Sequence, residues 1–300
     1  MDSVSQLPAV AEELCACSED EERLEHLTQL CVDDVITAFG LGKVRHGRSV
    51  LESVVRTPAR RLARQVLTYD RIVGESGLGT GGAWALKSLS RNAVIEGQEN
   101  VPSEGPLLLV SNHPGLADAV ALFAAAPRDD LRVIAADRPF LEALPNTSRH
   151  LLTVAEGSAG RSGVARAAAR HLRRGGAVLT FPGGRIEPDP AVLPGAVEAL
   201  YRWSSSADLF ARLTSGLTVV PIVVSGVISP SALRNPLTRM RRHRRDREWL
   251  AATLQMLIPA LRNVDAHVTF GSPIYAEAGA AVGEAVIRET RRLMERREAV

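Results

Sequence analysis

The chain has 300 residues, enough for one large domain or two smaller ones, and its apolar fraction of 45% can fill a sizeable core. Aromatic residues make up only 4%, so that core must rest mainly on Ala, Val and Leu. A formal net charge of +2 excludes a global electrostatic pull toward nucleic acid or a membrane. Lys43 and Lys87 are the only lysines. An arginine bias across the whole chain is what a GC-rich coding sequence produces, so arginine chemistry matters only at particular positions.

Three cysteines, Cys15, Cys17 and Cys31, lie near the N-terminus. An odd number makes no disulfide framework, which points to a reducing compartment. The Cys15–Cys17 spacing is not that of a structural zinc site, even with His26 nearby. No metal is expected. The opening Met1-Asp2-Ser3 lacks the basic and apolar regions of a signal peptide. No stretch approaches the ~18 apolar residues that span a bilayer. The expected location is cytoplasmic, including the inner membrane face as a peripheral protein.

Apolar residues at helical spacing predict helices over Leu7–Cys17 and Glu21–Phe39, stopped by Gly40 and Gly42, and a further helix over Ser49–Leu67. The glycine-rich run Gly74–Gly82 reads as a linker. It contains a literal G-x-G-x-x-G from Gly77 to Gly82, but Tyr69–Val73 is a poor strand to precede a dinucleotide site. The expected division is therefore a helical N-terminal region with its linker over 1–82, and an α/β domain over 83–300. Beyond the linker, short apolar strands are predicted at Leu107–Val110, Arg132–Ala135, Leu151–Val154, Ala177–Phe181, Thr218–Val224 and Ala266–Phe270. Helices are predicted between them at Leu116–Ala126, Val164–Arg174, Gly195–Trp203 and Glu248–Leu261. This alternation predicts an α/β fold with a central, mostly parallel or mixed sheet flanked by helices.

Two polar segments follow strands, where an open α/β sheet places its site. The first is Asn112-His113-Pro114-Gly115-Leu116-Ala117-Asp118, with four residues between histidine and aspartate. Histidine is the side chain best placed to take a proton near neutral pH, and a carboxylate that holds its ring makes it a better base. The plainer alternative is a turn in which Asp118 is solvated in the first turn of a helix. The second segment is Phe181-Pro182-Gly183-Gly184-Arg185, with the alternative of a structural turn. His26, His46, His150, His171, His243 and His267 lack any such setting.

With these residues in place, the chain resembles the glycerolipid acyltransferase superfamily, the group of glycerol-3-phosphate and lysophosphatidic acid acyltransferases. The resemblance covers roughly 92–276. Asn112, His113 and Asp118 match its N-H-x-x-x-x-D motif, and Val94–Pro102 resembles the lead-in G-x-E-N-x-P. Val219-Val220-Pro221-Ile222 resembles the fourth motif, and Phe270–Ile274 the closing strand and turn. The third motif, usually F-P-E-G-T-R, departs from the pattern. Gly183 stands in the glutamate's place, Ile186 in the arginine's, and Arg185 falls one position early. Glu187 follows as a candidate displaced carboxylate. The second motif is blurred, with Arg161 the nearest arginine after its strand.

The resemblance implies an enzyme that moves a fatty acyl group from a thioester carrier, acyl-CoA or acyl carrier protein, to a hydroxyl of a glycerolipid or lipid-precursor acceptor. His113 and Asp118 would be catalytic. Substrate contacts would come from Asn112, Gly115, Pro182, Gly183, Gly184, Arg185, Glu187 and Arg161. No cofactor beyond the acyl co-substrate is implied. The oxyanion would take N–H donors near Gly115 or Gly183-Gly184. No covalent intermediate is needed, since no G-x-S-x-G elbow is present and the cysteines lie outside this core. A catalytically silent lipid-binding relative and a thioester or ester hydrolase are the alternatives. The run Arg239–Arg247 suits an anionic membrane surface or the phosphates of coenzyme A, against the alternative of a solvated helix face. No nucleic-acid-binding module accompanies it.

Overall fold

The computed structural model describes residues 7–155, 158–276 and 281–298. Two long helices come first, α1 (Leu7–Ala38) and α2 (Arg48–Leu89). Strand β1 (Asn92–Glu96) follows, then β2 (Leu107–Ser111), α3 (Asp118–Ala125) and β3 (Arg132–Ala136). Two single-turn helices, α4 (Pro139–Glu142) and α5 (Pro145–Ser148), lead to β4 (Leu151–Val154), α6 (Ser158–Arg173) and β5 (Ala177–Thr180). Helices α7 (Ala196–Leu200) and α8 (Ser206–Leu213) precede β6 (Thr218–Ser225). The chain closes with α9 (Pro230–Leu233), α10 (Arg244–Leu257), β7 (Asp265–Phe270), β8 (Ile274–Tyr275) and α11 (Gly283–Glu298).

The strands form one eight-stranded mixed sheet in the order β1-β7-β6-β2-β5-β3-β4, with β8 also on β6. Strands β6, β2, β5, β3 and β4 run parallel, whereas β7 and β8 run antiparallel to β6. Parallel strands buried on both faces read as continuous apolar runs. Strand β2 does so: Leu107 and Leu109 enter the core beneath α2 and α3, while Leu108 and Val110 enter the core with α6, α8 and α11. Strand β7 instead alternates, with Ala266, Val268 and Phe270 inward.

Pro221 lies in the middle of β6, where a proline would normally break the ladder. On that side of β6 its neighbour changes from β8, paired at Thr218 and Val219, to β7, paired from Ile222 onward. The Pro221 carbonyl accepts from the Gly271 N–H (2.8 Å) in this gap, so the missing proline N–H falls where no strand could use it.

The expected linker at 74–82 is helical instead. It is part of α2, whose backbone leaves helical geometry only at Gly77 (φ 85°, ψ 168°) and kinks there. Gly82 explains why the glycines are tolerated. A Cβ on it would lie 2.7 Å from the Ala124 nitrogen and 2.9 Å from the Val120 carbonyl oxygen. The end of α2 therefore crosses α3 backbone to backbone, and this packing outweighs the low helix propensity of glycine. Tyr69, Val73 and Leu78, before residue 82, share one core with Ala85, Leu86 and Leu89 after it. Helices α1 and α2 enclose a further core of Leu24, Leu27, Val32, Ile36, Ala59 and Ala63. The buried Asp70 of α2 accepts from the Thr147 N–H and hydroxyl (both 2.8 Å), tying that region to α5. The Cys15 and Cys17 side chains lie outside the described residues. Cys31 is a buried free thiol, pushed up to about 12 by burial first and by Asp34 second.

Candidate active site

Strands β2 and β5 are parallel neighbours at the centre of the sheet, with Val110 opposite Thr180, so the loops leaving their C-terminal ends lie side by side. Asn112 secures the first. Its side-chain amide donates to the Val224 carbonyl (2.9 Å) and its oxygen accepts from the Val224 N–H (2.8 Å), extending the β2–β6 ladder past the last strand residue. That amide is buried and bonds backbone through both its nitrogen and its oxygen. Asn112, expected as a substrate contact, is thus placed as a support of the loop.

The His113 Nδ1 lies 2.5 Å from the Asp118 Oδ2. Asp118 opens α3, where a negative charge suits the helix dipole, and its other oxygen accepts from the Ala119 N–H (2.9 Å). Its side chain is 0% exposed, which rules out the solvated turn, while the His113 side chain is 28% exposed. With Nδ1–H donating to Asp118, Nε2 is the basic nitrogen, and it has no protein partner among the described residues. The Phe181 ring lies against the imidazole at a centroid distance of 4.8 Å. Burial disfavours the imidazolium, but Asp118 and then Glu187 outweigh it, and the His113 pKa is raised; Arg138 opposes the rise.

The second loop is built around two inward carboxylates. Glu187 is buried and accepts from the His113 N–H through Oε2 (3.1 Å) and from the Trp203 indole N–H through Oε1 (2.7 Å). Its own N–H donates to the His113 carbonyl (2.8 Å). Burial pushes its carboxyl up, while the Trp203 and His113 hydrogen bonds pull it down; the net shift is upward. Glu187, expected as a substrate contact, is placed against the His113 backbone and Trp203. Asp189, fully buried, accepts from the Ala191, Gly226, Val227 and Ile228 N–H groups at 2.8–3.1 Å. It holds the turn after β6, whose Val227 and Ile228 side chains pack on Gly115.

Arg185 is exposed and forms no ion pair among the described residues, so it pairs with neither Glu187 nor Asp189. Pro182 is buried, and its carbonyl accepts from the Ser204 N–H (3.1 Å). The Gly184 N–H is occupied by the Phe181 carbonyl (3.0 Å), which removes it as an oxyanion donor. Gly115 and Gly183 remain, with no partner for their N–H groups among the described residues. Arg161 is exposed on α6, after the edge strand β4, three strands away from β2. Of the other histidines, His26, His46 and His243 are exposed.

Sequence reasoning missed Arg138. It is an exposed arginine just after β3, and its charge bears on His113. Its only sequence signal was its place at the C-terminal end of a parallel strand, a criterion that applies to β3 as much as to β2 and β5.

A family model described as Acyltransferase matches residues 92–225. No curated protein matches the chain. Among solved structures, the chain is similar to the crystal structure of a 1-acyl-sn-glycerophosphate (LPA) acyltransferase, PlsC, from Thermotoga maritima. The identity is 14%, over 89% of this chain and 88% of that one, with a TM-score of 0.44. The stretch that the Acyltransferase model matches, 92–225, holds strands β1 to β6 and both loops.

Proposed function

We propose that the protein transfers a fatty acyl group from a thioester carrier, acyl-CoA or acyl carrier protein, to a hydroxyl of a glycerolipid or lipid-precursor acceptor, with His113 as general base. The observation that carries this reading is the His113–Asp118 pair, with Nε2 open at the ends of two central strands. The acceptor oxygen attacks the thioester carbonyl as its proton passes to Nε2. The C–O bond forms, the carbonyl oxygen becomes an oxyanion, and the Gly115 and Gly183 N–H groups are its candidate donors. Collapse breaks the C–S bond, and the imidazolium returns the proton to the departing thiolate. Asp118 holds the ring and balances its charge through the cycle. Base catalysis of this kind contributes typically ~10²–10⁴-fold.

Arg185 supplies an outward cation for an anionic group of either substrate, and Arg138 is a second. Purified protein with labelled acyl thioesters and a panel of lysolipids and polyol phosphates, products read by mass spectrometry, tests the reading. Acyl transfer to one acceptor class supports it. Release of free fatty acid alone points to a hydrolase, and no turnover with any pair points to a silent relative.

No helix among the described residues is long and apolar enough to cross a membrane. The exposed side chains Arg239, Arg242 and Arg245 lie beside the exposed Leu237 and Met240. This mixture suits an anionic membrane surface, at about 1 kcal/mol per basic residue near the headgroups. Reversing the three charges should release the protein from anionic vesicles, and added salt should do the same. Sedimentation with vesicles that responds to neither would leave the patch a solvated face.

A further inference from the structure

Gly183 and Glu187 are linked through space. A Cβ on Gly183 would lie 2.7 Å from the Glu187 carboxyl carbon and from its Oε1. Any side chain at 183 would therefore drive the carboxylate away. As it stands, the carboxylate fills that space and binds the His113 N–H, while the Glu187 main-chain N–H binds the His113 carbonyl. The pair of bonds holds both polar groups of the His113 backbone. Trp203 fixes the outer carboxylate oxygen, so the group has little freedom to turn elsewhere.

We propose that Glu187 is a positioning residue for His113, holding its main chain from both sides in the space that the absent side chain of Gly183 leaves open. The inference rests on His113 being the base of the proposed acyl transfer. Buried beside the ring, the carboxylate also places a negative charge where the imidazolium forms. Among the described residues, three charged groups bear on that ring: Asp118 from the start of α3, Glu187 from the loop after β5, and Arg138 from the loop after β3. Only Glu187 combines charge with a hold on the backbone.

The test uses Glu187→Gln, nearly the same shape without the charge, and Gly183→Ala, which leaves the carboxylate intact and displaces it. The His113 ring is titrated by nuclear magnetic resonance in each variant, and turnover is measured beside it. E187Q should lower the His113 pKa, move the acid limb of the rate profile to lower pH, and cut kcat about tenfold to a hundredfold with KM unchanged. G183A should move both readouts in the same direction. The double variant should be no worse than the worse single one, because both act through one group. An unchanged His113 titration in E187Q, a loss that falls on KM, or additive losses in the double variant would each overturn the proposal. The titration needs no turnover, so a wild-type protein inactive with every substrate pair would sink the acyl-transfer reading without obscuring this result.

Discussion

The loop leaving β2 and the loop leaving β5 are neighbours of similar make-up. Each follows a buried apolar strand, turns on proline and glycine, and carries carboxylates. They differ in where those carboxylates point. Asp118 bonds an imidazole that is partly open to solvent. Glu187 and Asp189 point inward onto main-chain N–H groups, Glu187 on the first loop itself and Asp189 on the turn packed against it. One loop presents the proposed base, and the other builds its support and offers an outward cation, Arg185. Adjacent strand ends can thus share a site while dividing chemistry from scaffolding.

The sharpest way to break this comparison is to remove the reactive group. His113→Ala should abolish acyl transfer with the melting temperature little changed, and near-normal turnover in the folded variant would remove the dyad from the mechanism. Asp118→Asn should lose about 10²-fold or more in kcat, through the imidazolium charge and the ring's tautomer. It should also lower the acid limb of the rate profile. A base must be unprotonated, so the raised His113 pKa means that wild-type activity rises with pH through a midpoint above the ordinary histidine value. The sign for stability is opposite. The extra stability of the imidazolium is fully present below the ordinary histidine pKa and is lost as pH rises through the raised folded value.

The scaffold side predicts a different failure. Asp189→Ala leaves four N–H groups without their acceptor in a buried setting, and should cost about 3 kcal/mol or more in unfolding free energy. Denaturant unfolding measures it. A D189A protein as stable as wild type would erase the distinction between the loops. The smallest effect belongs to Arg185→Ala, which should raise KM for an anionic substrate about tenfold and leave the melting temperature unchanged. Arg185→Lys should recover only part, because the bidentate fork is lost. Unchanged constants for both substrates would leave Arg185 without a binding role.

The six predicted strands were legible to within one residue; β2, β5 and β6 stood out because parallel strands buried on both faces are near-continuous apolar runs, and β7 through its alternation. Strand β1 was not, since it lies exposed at the sheet edge with Asn92 and Glu96 at its ends. Helices α8 and α11 also went unassigned. The Gly74–Gly82 run misled because glycine was read for its local propensity, whereas a close crossing of α3 decides the matter. His113 and Asp118 were visible because a single turn joins them. The Glu187 contact was not. It depends on a carboxylate reaching a backbone 74 residues away, across a space defined by a missing Cβ.

The crossing at Gly82 bears on how the chain can be divided. The helix that begins with Asp118 is roofed by the last turns of α2, and the kink at Gly77 lies within the segment that makes that roof. A truncation beginning at residue 83 would discard Tyr69, Val73 and Leu78 from a core that also contains Leu107 and Leu122. These three side chains of α2 therefore pack with the sheet and α3. A cut made between Tyr69 and Leu89 would split that core.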